Sequence, residues 1–114
     1  MKIYISLPIA DHYETVKSRY NEAAEQIKKM FPWAQVTGPH NINDFDEDGY
    51  HGETTNSWEW HIGEDTKALL ACDAIYMTKG WAWSRGCRIE RAIMAADNKA
   101  VYFADDASEK LDDE

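Results

Sequence analysis

The sequence predicts an α/β domain built on a parallel sheet of four strands, or five, in the order 2-1-3-4. Three observations carry that expectation. Apolar runs of strand length alternate with amphipathic stretches of helical length along the chain. The first run, Lys2-Ile3-Tyr4-Ile5-Ser6-Leu7, alternates little, as a strand covered on both faces does. A chain of 114 residues with no repeat and no linker is large enough for one core and too small for two, so residues 1–114 read as a single domain.

Pro8 ends the first strand. From Asp11 to Met30, and on to Phe31, the apolar positions Tyr13, Val16, Tyr20, Ala23, Ala24, Ile27 and Phe31 recur every three or four residues, which gives a helix with Asp11 as its N-cap. Trp33 to Gly38 is a second short strand closed by Gly38-Pro39. Residues 39–56 are polar and aperiodic, a loop long enough to be functional or mobile in a compact domain. Asn56 or Ser57 caps a helix that runs to Leu70, with Trp58, Ile62, Ala68 and Leu69 inward and Gly63 weakening its middle. Ala71 to Thr78 is the third strand. In the helix from Arg85 to Ala96, Ile89, Ala92, Ile93 and Ala96 form the sheet-packing face, and Cys87, Glu90 and Met94 an adjoining stripe. Lys99 to Phe103 is the fourth strand, and the acidic tail from Ala104 frays or forms a short final helix.

A net charge of -9 and a pI near 4.8 exclude a nucleic-acid polymer as partner, because phosphates must be neutralised by clustered Lys and Arg. A small phosphate-bearing molecule stays compatible, since a helix start and a few cations can hold it locally. The opening apolar run is too short for a signal peptide and no segment reaches the ~20 apolar residues of a membrane span, so the expected location is cytoplasmic, with no membrane partner. Cys72 and Cys87 lack disulfide and CxxC spacing and read as reduced, packed thiols; Cys87 as a nucleophile has no base partner in view. Asp44 to Gly49 imitates the start of a calcium loop, but Thr55 stands where a bidentate Glu is needed. His40, His51 and His61 lack ligand spacing, so neither metal nor cofactor is expected.

In a 2-1-3-4 sheet a ligand sits beyond the carboxyl ends of the strands, where the order reverses. There the loop Leu7 to Asp11 meets the loop Lys79 to Gly86. Glu90 follows, a helix carboxylate whose neighbours three and four residues away are Gly86, Cys87, Ile93 and Met94, none of them basic. A solvated surface glutamate and a site carboxylate are both open readings. Gly80 and Gly86 bracket Trp81, Trp83 and Ser84: glycine lets a ligand approach the backbone, an indole stacks on a base, and serine caps the helix or bonds a sugar hydroxyl. Each also has a structural reading, the tryptophans as core and Ser84 as a cap alone.

Lys2-Ile3-Tyr4-Ile5-Ser6, the segment Asp65 to Met77, and Ser84-x-Gly86-x-x-x-Glu90 before an alanine-rich helix resemble the nucleoside 2-deoxyribosyltransferase superfamily, above all its short branch of bacterial and phage proteins. The resemblance runs in order over nearly the whole chain. It implies a flavodoxin-like three-layer sandwich and action on the N-glycosidic bond of a small-molecule nucleoside or nucleotide. Glu90 matches the family's nucleophile, Tyr4 the tyrosine that orients it, and Asp65 the acid near the leaving base. Ser84 stands where nucleotide hydrolases keep a phosphate-holding serine and nucleoside transferases an acid. Ser6, Pro8, Ile9, Trp81, Trp83, Ser84, Arg85 and Gly86 are the expected substrate contacts, with Arg19, Arg85 and Arg88 as candidate phosphate partners. The chain departs from the pattern at Leu7, where a glycine is usual, and it ends before a fifth strand and last helix. A neighbouring subunit often completes the site in the family, so a homo-oligomer, dimer or higher, is expected. The function implied is an N-glycosidic hydrolase or deoxyribosyltransferase; the alternative is a non-catalytic module that binds or sequesters a nucleotide in the same crevice.

Overall fold

The computed structural model describes residues 1–111. Its elements are β1 (Lys2–Ser6), α1 (Val16–Met30), β2 (Gln35–Thr37), β3 (Phe45–Asp46), β4 (Gly49–Tyr50), α2 (Trp58–Leu70), β5 (Ala74–Met77), α3 (Arg85–Ala96) and β6 (Ala100–Phe103). Four strands form one parallel sheet in the order β2-β1-β5-β6, which is the expected 2-1-3-4. The central strands β1 and β5 are almost wholly buried, and the edge strands β2 and β6 are partly exposed. The unbroken apolar character of β1 reflects that central place.

Alternation along the strands divides the interior into two layers. Ile3, Ile5, Leu7, Ala74 and Tyr76 pack with Val16, Ala23 and Ile27 of α1. Tyr4, Ile75 and Met77 pack with Leu69 of α2 and with Cys87 and Met94 of α3. The result is a flavodoxin-like three-layer fold with α1 on one face of the sheet and α2 and α3 on the other. Among the described residues no helix is long and apolar enough to cross a membrane.

Several local expectations need correction. Asp11 does not cap α1: its φ of 67° is left-handed, residues 13–15 form a 3-10 turn, and the helix starts at Val16. The loop 39–56 contains a hairpin, β3 against β4, with Phe45 opposite Tyr50 and Asp46 opposite Gly49. Gly63 leaves α2 unbroken, and Trp58 is exposed while Leu69 is the buried residue of that helix. Cys87, Glu90 and Met94 are the buried stripe of α3, whereas Ala92 and Ala96 face outward. The segment after β6 is neither frayed nor helical as far as residue 111: it turns back so that the Gly80 N–H donates to the Glu109 carbonyl at 2.8 Å. Gly80, at φ 86°, takes the left-handed conformation that glycine adopts without strain.

Candidate active site

A cleft of about 710 Å³ opens beyond the carboxyl ends of β1 and β5, where the strand order reverses. Pro8 and Ile9 after β1 form one wall, and Trp83, Ser84, Arg85 and Gly86 at the start of α3 form another. The hairpin supplies a third, where Phe45 stacks on Tyr13 at 6.2 Å and packs on Tyr50 at 4.9 Å.

Glu90 lies at the bottom of the cleft, 4% exposed. Its position follows from two periodicities. Tyr4 and Ser6 are two apart on β1 and so point to the same face, and Glu90 shares its helical stripe with Cys87 and Met94, which pack on that face. The Tyr4 hydroxyl donates to Glu90 Oε2 and the Ser6 hydroxyl to Oε1, each at 2.7 Å. Burial pushes the Glu90 carboxyl up from its usual value to about 7; the two hydroxyls oppose that rise and the charge of Asp65 adds to it. Burial, and then the charge of Glu90, pushes the Tyr4 phenol well above its ordinary value, so it remains a donor. Burial also pushes the Cys87 thiol up to about 12, with Glu90 adding to it. Cys87 is therefore a packed thiol and a poor nucleophile at neutral pH.

Across the cleft, Asp65 on α2 is paired with His40. Asp65 Oδ1 accepts from the His40 backbone N–H at 2.9 Å and meets the ring Nδ1 at 2.5 Å. His61, one turn before Asp65 on α2, brings Nδ1 to 3.2 Å from His40 Nε2. All three side chains line the cleft. From the sequence His40, His51 and His61 read only as candidate metal ligands without ligand spacing; among the described residues no group of three or more His, Cys, Asp or Glu could hold a metal ion. The i, i+4 spacing of His61 and Asp65 places both on one face of α2, which the sequence could show, while His40 comes from an aperiodic loop that offers no signal.

The aromatic expectation is half corrected. Trp83 lines the cleft and is exposed, but Trp81 packs beneath α3, 5.8 Å from Phe103 with the Arg91 guanidinium 5.3 Å above its ring. The second indole in the cleft is Trp58 from the start of α2, with the Arg85 guanidinium stacked 3.7 Å over it. Ser6 is fully buried and holds Glu90 rather than reaching the cleft. Ser84 Oγ caps α3 by accepting from the Cys87 N–H at 3.3 Å, and its side chain also interacts with the Cys87 thiol. A Cβ on Gly86 would meet nothing within 4 Å, so this glycine leaves open space on the cleft wall. Arg85 is the cation of the three candidates that lines the cleft. Arg88 is exposed and turns back to the Ser84 carbonyl, and Arg19 lines a separate hollow of about 550 Å³ beside α1.

Residues 1–103 match the family described as "Domain of unknown function (DUF4406)". The chain belongs to that family. No curated protein and no solved structure matches it. The DUF4406 span takes in the whole parallel sheet, the hairpin and every cleft residue named above, and it ends with β6.

Proposed function

We propose that this DUF4406 chain cleaves the N-glycosidic bond of a deoxynucleoside or its monophosphate, as the resemblance to nucleoside 2-deoxyribosyltransferases implies, with Glu90 as nucleophile. The observation that carries the reading is a buried carboxylate at the bottom of a cleft, held by two hydroxyl donors and facing a second carboxyl group paired with histidine. In the first step a Glu90 oxygen bonds to C1' while the C1'–N bond breaks, and its electron pair leaves with the base, which takes a proton from Asp65. In the second step water attacks C1', its proton passes to Asp65, and Glu90 leaves with the electron pair of the glycosyl ester. A second base in place of water makes the same chemistry a transfer. This is the two-step logic of retaining glycosidases.

The aromatic face of Trp83 suits a base, Trp58 holds the Arg85 guanidinium at the cleft, and Ser84, Arg85 and the N–H groups at the start of α3 suit a 5'-phosphate, which makes a monophosphate the preferred substrate. The nucleophile must be ionised, so base release rises as pH increases through about 7. The expected homo-oligomer belongs to this proposal; Met30, Trp33 and Phe103 are large apolar side chains left exposed.

One observation favours a second reading. Both Glu90 oxygens are already engaged by β1, so the residue also serves to pin α3 to the sheet, and the cleft could hold a nucleotide unchanged. Incubation with a panel of deoxynucleosides and their monophosphates, followed by chromatography for free base, decides between them. Release by the wild type and its loss by about 1000-fold or more in Glu90→Gln supports the glycosidase. Saturable binding with no free base from any member supports the module.

A further inference from the structure

We infer that His61 and His40 form a two-imidazole proton relay that charges Asp65 for leaving-group protonation and discharges it during hydrolysis. This rests on the glycosidase reading above, but its argument is geometric. A carboxylate can only accept, so the 2.5 Å contact with Asp65 Oδ1 places the ring hydrogen of His40 on Nδ1. Nε2 of the neutral ring is then an acceptor, and the atom facing it at 3.2 Å is His61 Nδ1, which must carry hydrogen in turn. The second nitrogen of His61, Nε2, is left as the lone pair that receives a proton from outside the chain. The rings lie 5.1 Å apart with planes inclined by 33°, and both belong to the cleft lining. The backbone N–H of His40 bonds the same carboxylate oxygen, which holds the residue's main chain beside Asp65.

The transfers balance over one hydrolytic turnover. A proton taken up at His61 Nε2 releases the Nδ1 proton to His40 Nε2, and His40 passes its Nδ1 proton to Asp65, which gives it to the departing base. When water attacks the glycosyl ester, its proton enters at Asp65 and the same steps run backwards, ending with release from His61 Nε2. Both rings return to the Nδ1–H tautomer, and the net consumption is one water.

The test uses His61→Asn, whose side-chain amide can still donate to His40 Nε2 but cannot pass a proton onward. Two substrates are compared: a purine deoxynucleoside monophosphate, and 4-nitrophenyl 2-deoxyriboside 5'-phosphate, whose leaving group departs without a proton. In single turnovers with enzyme in excess, the relay predicts that base release slows by about 10- to 100-fold in the variant with substrate binding changed by less than about 2-fold, while nitrophenolate release, which precedes any proton transfer through Asp65, matches the wild type. Equal losses of the first-turnover release on both substrates, or no loss on either, overturn it while leaving the Glu90 nucleophile standing. A wild-type protein that cleaves neither substrate overturns the glycosidase reading and the relay with it. Independently of turnover, ¹⁵N NMR of the wild type at pH 8 should show the Nδ1–H tautomer at both His40 and His61; Nε2–H at either ring contradicts the relay.

Discussion

Glu90 stands between opposed effects, and their balance sets its behaviour. Desolvation raises its pKa to about 7, against the pull of two short hydroxyl hydrogen bonds. A carboxyl whose folded pKa lies above its unfolded value stabilises the fold fully below the unfolded value, and that contribution disappears as pH rises through about 7. Glu90→Gln removes the ionisation, so the variant should be more stable than the wild type at pH 8 by roughly 3 kcal/mol at most, a gap that closes as pH falls below 5. Urea unfolding at the two pH values checks it; a gap independent of pH contradicts the buried, titrating carboxyl. Tyr4→Phe deletes one donor while leaving burial in place. The acidic limb of base release should then move up by about one pH unit, as loss of a hydrogen bond to a charged group implies. A pH profile measured on the deoxynucleotide substrate reads that shift directly.

At the scale of elements, α3 shows where sequence reasoning ran short. A helical wheel ranks residues by apolarity, which sends Ala92 and Ala96 inward and Glu90 to the side. The sheet buries Glu90 because Tyr4 and Ser6 arrive on the facing strand as matched donors, a long-range pairing invisible to local periodicity. The hairpin escaped for a different reason: with two residues per strand, Phe45-Asp46 and Gly49-Tyr50 are too short to display alternation. Two of the three cap signals were legible, since Ser57 and Ser84 each accept from the backbone N–H three residues on, whereas Asp11 does not cap α1. The two serines also form a matched experiment. Ser84→Ala and Ser57→Ala should each cost about 1 kcal/mol of stability in thermal or chemical unfolding. Only Ser84→Ala should also weaken monophosphate binding, because Ser57 does not line the cleft. Equal effects on binding would remove Ser84 from the phosphate subsite.

At the scale of the molecule, the strand order and the place of the cleft were readable because parallel topology constrains both: once β1 is recognised as buried on two faces, the crossover helices leave few arrangements. Glu90 was in view before the fold from its unpaired place on the helix, and Tyr4 and Asp65 only through the resemblance, whereas Trp58 and the His40–His61 pair depend on where α2 and the loop before it come to rest. Self-association belongs to this scale as well. Light scattering on the purified chain should return a multiple of its 13.1 kDa mass, and a monomer at all concentrations contradicts the proposed oligomer. The central claim is that Glu90 becomes covalently bonded to the sugar during turnover. Mass spectrometry of the protein quenched with a 2-deoxy-2-fluoroarabinosyl nucleotide, whose fluorine slows hydrolysis of the ester, addresses it most directly. One fluorosugar phosphate should add to the wild type, localised to the peptide that carries Glu90 and absent from Glu90→Gln; base release with no adduct, or an adduct on another residue, would contradict a Glu90 nucleophile.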